Sequence, residues 1–148
     1  MAANNAAVSG STGEAVPRSK AMHIALWVVQ AVLAVAFGMA GFMKLTQPMA
    51  ALNEMMPWTT AVPPGLVRFI GAAELAGALG LILPAVLRIK PGLTALAGAG
   101  LVLVMLLASG FHVTRGEFGA VPVNLVLGGL AAFVAWGRFR KAPIAPRA

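Results

Sequence analysis

IALWVVQAVLAVAFGMAGFM, residues 24–43, is a run of twenty residues without a charged side chain. At a rise of 1.5 Å per residue, a helix of this length extends about 30 Å, which matches the hydrocarbon core of a bilayer. The run is longer than the apolar region of a cleavable signal peptide, so we expect an uncleaved signal anchor. The stretch therefore predicts a first transmembrane helix over residues 23–44.

Three further apolar runs follow, and they predict helices over residues 66–87, 91–112 and 118–138. The segment between the first two helices, residues 45–65, contains four prolines, which break any long helix, so we expect a connecting loop with a short interfacial turn. The chain is predicted to be an all-α membrane protein, a bundle of four transmembrane helices over residues 21–138.

The composition supports this class and excludes several others. Hydrophobic residues make up 59% of the chain and charged residues 10%, which is outside the range of ordinary soluble domains. The chain has no cysteine, which excludes disulfides, thiolate metal sites and thiol redox chemistry. The basic residues lie at the edges of apolar runs and not in one patch, so they do not predict nucleic-acid binding. The bilayer is the expected partner.

The distribution of the 11 Lys and Arg residues predicts the orientation. Eight belong to the N-terminal flank, the turn after the second helix and the C-terminal tail, whereas three belong to the other two loops with their flanks: Lys44, Arg68 and Arg115. Because cytoplasmic loops carry the excess of basic residues, both termini are predicted to be cytoplasmic, in a multi-pass protein of the plasma (inner) membrane. Residues 1–20 are expected to be a disordered cytoplasmic tail and residues 139–148 a basic one.

Glu74 is the polar residue with the strongest functional signal, because it lies well inside the second predicted helix. An ionisable group at that depth costs several kcal/mol unless it is paired, protonated or hydrated, so we expect it to face the bundle interior. Two interpretations carry equal weight: a proton-active or ligand-binding carboxylate, and a structural link between helices. Gln30 in the first helix is expected to hydrogen-bond another helix.

The predicted topology brings Glu74 into one layer, the outer half of the bundle, with Lys44, Arg68, His112 and Asn124. We interpret these five residues as a candidate ligand-binding pocket with apolar walls. Lys44 or His112 is a better partner for Glu74 than Arg68, which lies about 120° away around the same helix. The alternative for each basic residue is that it extends to the lipid headgroups.

No metal site is predicted. His23 and His112 fall at opposite membrane faces and cannot hold one haem together. Five methionines near the outer end could offer thioethers to copper, but their spacing matches no metal motif. No nucleotide-binding or hydrolase motif is present either, so the sequence favours a chain that is not an enzyme on its own while leaving activity open.

Two segments carry a family resemblance. Residues 41–45, GFMKL, resemble the G-x-x-K-L signature of the DoxX-like family, and residues 68–77, RFIGAAELAG, resemble its R-x-x-G-x-x-E-L-x-G stretch. The order and spacing of these segments and the four-helix plan agree with the family over residues 22–138. By position, the resemblance carries over Lys44, Arg68 and Glu74. The last two helices contain no such motif, so His112 and Asn124 depend on the topology argument alone.

The resemblance implies a small four-helix membrane protein without a defined reaction. One member is a subunit of a quinone-linked thiosulfate oxidoreductase, others resemble partners of membrane redox complexes, and distant relatives are assembly chaperones. The leading hypothesis is an accessory subunit of a redox or cell-envelope complex, with quinone as the candidate cofactor; its carbonyl would accept from Lys44, His112 or protonated Glu74. The alternatives are an assembly or interaction factor, and a small proton-coupled transporter. Homo-oligomers are compatible with each.

Overall fold

The computed structural model describes residues 18–148. Residues 1–17 of the predicted N-terminal tail lie outside the described residues. Within residues 18–148 the chain forms five α-helices and no strand. They are α1 (Arg18–Thr46), α2 (Met49–Met55), α3 (Pro64–Leu87), α4 (Gly92–Thr114) and α5 (Val121–Trp136). A 3₁₀ turn (Pro57–Ala61) precedes α3, and a π-helical turn (Gly137–Lys141) follows α5.

Four of these helices are long and apolar enough to cross a membrane: Lys20–Thr46, Pro64–Leu87, Gly92–Thr114 and Val121–Lys141. This confirms the predicted all-helical fold with four spans. Two helices extend beyond their predicted C-terminal bounds: α1 continues past Lys44 to Thr46, and α4 continues past His112 to Thr114. The predicted connecting segment contains the short helix α2 and the 3₁₀ turn.

Prolines and one left-handed residue set the helix boundaries. Pro64 and Pro122 occupy the first turns of α3 and α5, where the missing N–H removes no intrahelical hydrogen bond. Arg88 ends α3 in the left-handed conformation, with φ 57°. Its guanidinium Nε donates to the Ala145 carbonyl at 3.0 Å, so the C-terminal segment lies against the turn between α3 and α4.

The spanning helices pack in the order α1, α3, α4 and α5, and α5 also contacts α1. The chain therefore runs up and down through the bundle, with the α1–α3 and α4–α5 connections at one end and the α3–α4 connection at the other. The end that contains the last residues of α1 and α4 and the first residues of α3 and α5 is called the pocket end below. The bundle interior is apolar, with fully buried residues such as Leu33 and Leu81.

A polar network connects three helices near the end of the bundle opposite the pocket end. The Gln30 side-chain amide is fully buried and donates to the Leu81 carbonyl at 2.6 Å, which confirms the predicted hydrogen bond between helices. The Arg138 guanidinium donates from Nε to Gln30 Oε1 at 2.6 Å and contacts His23 Nδ1 at 2.9 Å. Because these hydrogen bonds join side chains of α1 to the α3 backbone and to Arg138, the network fixes the relative positions of α1, α3 and the end of α5.

Candidate functional site

A close approach of α1 and α3 builds the centre of the site. A Cβ atom at Gly41 would lie 2.6 Å from the Gly71 carbonyl oxygen and 2.7 Å from the Leu75 amide nitrogen. A Cβ atom at Gly71 would lie 2.7 Å from Lys44 Cβ. Only glycine at both positions allows this contact, because no real Cβ atom is found so near to backbone atoms. The glycines of the two sequence motifs thus bring the helix backbones together.

Lys44 and Glu74 meet one turn beyond these glycines. Each follows its glycine by three residues, so it lies on the same helix face. Lys44 Nζ donates to Glu74 Oε2 at 2.7 Å, and both residues are 5% exposed. Glu74 does face the bundle interior, and its partner is Lys44, the first of the two candidates that the sequence offered. A buried pair of opposite charges is tolerated at this depth because each compensates the other's desolvation.

Arg68 stabilises the end of α1 and does not line the pocket. Its guanidinium donates to the Lys44 carbonyl and, at 2.8 Å, to the Gln47 carbonyl. These carbonyls belong to the last turn of α1 and the residue after it, where no intrahelical donor is available. Arg68 therefore fixes the backbone of Lys44, and its side chain is not among the residues that line the pocket, contrary to the prediction.

A pocket of about 280 Å³ lies beside the buried ion pair, between α3, α4 and the segment before α3. Four of the five predicted site residues line it: Lys44, Glu74, His112 and Asn124. The other lining residues are apolar or aromatic: Trp58, Val62, Leu66, Ile70, Val104, Met105, Leu107, Ala108 and Phe111. Leu66 and Leu107 are also exposed on the lateral surface of the bundle, so the pocket is reached from the lipid-facing side.

His112 links the pocket to the turn between α4 and α5. Its Nδ1 lies 2.7 Å from Glu117 Oε2, and Glu117 Oε1 accepts from Arg115 Nε at 2.9 Å. Hydrogen bonds from Arg115 and His112 hold the pKa of the Glu117 carboxyl below its ordinary value. Glu117 is therefore a carboxylate at neutral pH and orients the His112 ring.

Asn124 contributes a donor without a partner. Its Nδ2 atom is buried and makes no hydrogen bond within residues 18–148. The atom has almost no accessible surface, so an acceptor in the pocket does not reach it in this side-chain conformation. Within the same residues, no group of three or more His, Cys, Asp or Glu side chains could hold a metal ion.

Trp58 and Phe111 form an aromatic wall that the sequence analysis did not include in the site. The Trp58 ring meets Phe111 at a centroid distance of 6.2 Å and His112 at 6.4 Å, both edge to face. The 3₁₀ turn directs Trp58 against α4. In the sequence, the only indication of this role is that Trp58 is a large aromatic residue in a proline-flanked segment that is predicted to be non-helical.

The comparison with protein families agrees with these motifs. The family model for DoxX-like proteins matches residues 28–134 of the chain. The chain belongs to the DoxX-like family. The match begins within α1 and ends within α5, so it includes the ion pair and the pocket of this DoxX-like chain. No curated protein and no solved structure shows a significant match.

Proposed function

We propose that this DoxX-like protein is an accessory membrane subunit that binds a lipophilic ligand in the pocket, with a quinone as the leading candidate. The observation that carries the proposal is a pocket with mainly apolar walls that is lined by both members of an ion pair, a histidine and an asparagine. Ligand sites combine a large apolar surface with a few polar groups that fix the orientation. The lateral access suits a ligand that is dissolved in the bilayer.

The ion pair limits how the ligand's oxygen atoms are bound. Lys44 donates one of its three N–H groups to Glu74 Oε2, and His112 Nδ1 is directed at Glu117 Oε2. The Asn124 side chain lines the pocket, but its unpartnered Nδ2 atom has almost no accessible surface. A carbonyl oxygen of the ligand would therefore accept from a remaining N–H group of Lys44, one of the donors that the sequence suggested.

Blocking the pocket tests the proposal. Ala108→Phe places a ring at the pocket wall, whereas Ala99→Phe places the same ring on an exposed position of the same helix. Decylubiquinone should raise the melting temperature of the wild-type protein and of Ala99→Phe in lipid nanodiscs, and should leave that of Ala108→Phe unchanged. A quinone response that is equal in both variants, or absent from the wild-type protein, would contradict the proposal.

The partner is proposed to be a membrane redox or cell-envelope complex. Gentle extraction from the native membrane, followed by identification of the proteins and lipids that remain bound, tests this part. We expect a dehydrogenase or another redox subunit to be retained with the wild-type protein. Recovery of the chain without any redox subunit would leave a ligand-binding protein that acts alone or with copies of itself.

A second candidate function is supported by a groove between α3 and α4. It has a volume of about 380 Å³ and is lined mostly by small residues, among them Ala76, Gly100 and Ala97. Ala76 and Gly100 are exposed, so a transmembrane helix of a partner could approach closely there. An assembly or interaction factor predicts that Ala76→Phe abolishes partner retention, while Glu74→Gln does not.

The orientation is part of the proposal: both termini in the cytoplasm and the pocket end outside, in the plasma (inner) membrane. The support is the excess of basic residues at the other end. Because the chain has no cysteine, single-cysteine variants can be labelled without background. A membrane-impermeant maleimide added to intact cells should label Ala61→Cys and should not label Ala148→Cys. The reverse pattern would invert the topology.

A further inference from the structure

The turn between α3 and α4 holds basic residues where the backbone favours glycine. Arg88 and Lys90 have left-handed φ angles of 57° and 45°, and both residues are exposed. Such angles are unfavourable for residues with a Cβ atom, and they occur repeatedly at ligand sites. Ile89, between the two basic residues, is 57% exposed. An exposed apolar side chain between two basic ones fits the boundary between the hydrocarbon core and the lipid headgroups.

The C-terminal segment brings a third cation to this turn. The amide of the exposed residue Arg147 donates to the Arg88 carbonyl at 2.8 Å. The Arg88 guanidinium donates in return to carbonyls of the C-terminal segment, including that of Ala145 at 3.0 Å. Arg88, Lys90 and Arg147 are called the basic turn below. None of the three pairs with a carboxylate within residues 18–148, whose acidic residues belong to α2, the middle of α3 and the α4–α5 turn.

The small-residue groove between α3 and α4 begins next to the basic turn. Its lining includes Pro84, which lies one turn before Arg88, and Leu93, which lies in the first turn of α4. Leu96 also lines the groove and is 65% exposed. The groove is therefore open to the bilayer on the lateral surface of the bundle, and one of its ends borders three positive charges.

We propose that the groove and the basic turn together bind an anionic phospholipid of the surrounding leaflet. The side chains of Lys90 and Arg147 make no hydrogen bond within the described residues, so both are available to the lipid phosphate. Arginine binds a phosphate through two parallel N–H groups, and lysine binds it as a point charge. An acyl chain of the same lipid lies against the apolar lining of the groove.

The charges favour a lipid over the other occupant of this groove, the partner helix of the second candidate function. A helix that packs against small residues needs no negative charge, whereas the phosphate of an anionic lipid is complementary to the basic turn. The proposed orientation places the basic turn at the cytoplasmic leaflet, which is the one rich in anionic lipids. The site lies at the end opposite the pocket end, so the inference does not depend on the quinone.

Two lipids that differ only in the headgroup test the inference. The protein is placed in nanodiscs with equal amounts of dioleoyl phosphatidylglycerol and dioleoyl phosphatidylcholine, and the lipids retained after transfer to detergent are counted by native mass spectrometry. We expect the wild-type protein to retain phosphatidylglycerol in excess. Each basic residue near the membrane surface contributes about a fivefold preference, so Lys90→Gly and Arg147→Gln should each lower the ratio by about that factor. Equal retention of the two lipids by the wild-type protein would overturn the inference.

Lys90→Gly separates lipid binding from stability. Glycine adopts a φ of 45° without strain, so the melting temperature of this variant should not fall. Lys20→Gln is the matched control, because it removes the same charge from an exposed position at the same end of the bundle, on a helix that does not line the groove. The lipid ratio of Lys20→Gln should equal that of the wild-type protein. If Lys20→Gln lowers the ratio as much as Lys90→Gly does, the preference arises from the general charge of this end and the proposed site is wrong.

Filling the groove distinguishes a lipid from a partner helix. Gly100 lines the groove, and a Cβ atom there meets nothing within 4 Å, so Gly100→Phe places a ring in the groove without a clash at its Cβ. Gly110→Phe places the same ring on α4 outside the groove. We expect Gly100→Phe to lose the retained phosphatidylglycerol and Gly110→Phe to keep it. If Gly100→Phe keeps the lipid but loses a copurifying protein or changes the oligomeric state, a helix occupies the groove and the inference is wrong.

Discussion

Lys44 Nζ lies 2.7 Å from Glu74 Oε2, and this contact joins α1 to α3 in the interior of the bundle. Its geometry depends on two glycines one turn away, Gly41 and Gly71, whose helices touch through their backbones. The same contact forms one side of the pocket. The stability of the bundle and the candidate function therefore depend on the same pair of residues.

Removing one member of the ion pair should lower the free energy of unfolding more than replacing both members with apolar residues. Lys44→Met leaves a buried carboxylate without its partner and Glu74→Leu leaves a buried ammonium, so each should destabilise the protein by about 3–5 kcal/mol if the surviving group stays charged. The double variant Lys44→Met/Glu74→Leu should be more stable than either single one. Reversible unfolding in mixed micelles measures the cycle, and additive effects would contradict a direct pair.

Glu74→Gln separates stability from binding. The glutamine carbonyl can still accept from Lys44 but the negative charge is lost. If Glu74 has only a structural role, the variant should bind decylubiquinone as the wild-type protein does once both are folded. If folding, oligomeric state and ligand binding are all unchanged in Glu74→Gln, the charge of Glu74 has no role in the pocket, which would contradict the proposal that the ion pair is part of the binding site.

The contact between α1 and α3 predicts that alanine destabilises the protein at Gly41 and Gly71 but not at Gly110. Gly41→Ala and Gly71→Ala each place a Cβ within 2.7 Å of atoms in the facing helix, so α1 and α3 must move apart and the melting temperature should fall. Gly110→Ala is the control, since a Cβ there meets nothing within 4 Å. Alanine in an exposed helix position is favoured over glycine by up to about 1 kcal/mol, so the control should be neutral or stabilising. A similar loss in all three variants would argue against the contact.

The ion pair could be predicted from the sequence because few residues could compensate the Glu74 carboxylate. A carboxylate inside a membrane span must be compensated, and the topology left Lys44 and His112 as the candidates. The same reasoning misplaced the side chain of Arg68, since its partners are the Lys44 and Gln47 carbonyls at the end of α1. Every helix has such carbonyls, and no residue pattern marks which ones a distant guanidinium will bind.

The aromatic wall could not be found from periodicity. Trp58 belongs to a 3₁₀ turn between prolines, where neither the helical nor the strand repeat applies. Its direction is set by the fold of the segment, in which the Thr59 hydroxyl donates to Asn53 Oδ1 at 2.7 Å. The spans follow from local apolar runs, whereas the site depends on contacts between segments distant in the sequence.

Arg68→Lys tests whether the guanidinium has a specific task. A lysine keeps the charge but presents a single nitrogen, which cannot reach two carbonyls in the planar geometry of arginine. The variant should lose up to about 1.5–3 kcal/mol of stability, the range for hydrogen bonds to a charged group. Hydrogen exchange at the end of α1 should increase, while the α4–α5 turn should be unaffected. Unchanged protection of α1 would show that Arg68 only extends to the headgroups.

The turn between α4 and α5 should lose stability in acid through Glu117. Its folded-state pKa is below the ordinary value of 4.5, because Arg115 and His112 donate to the carboxylate. A carboxyl with a depressed pKa contributes its stabilisation fully above the unfolded-state pKa, and loses it as the pH falls from there through the lower folded-state value. Melting temperatures measured between about pH 7 and pH 3 should therefore fall more steeply for the wild-type protein than for Glu117→Gln, which cannot titrate. Parallel curves for the two proteins would mean that the hydrogen bonds to Glu117 do not stabilise the fold.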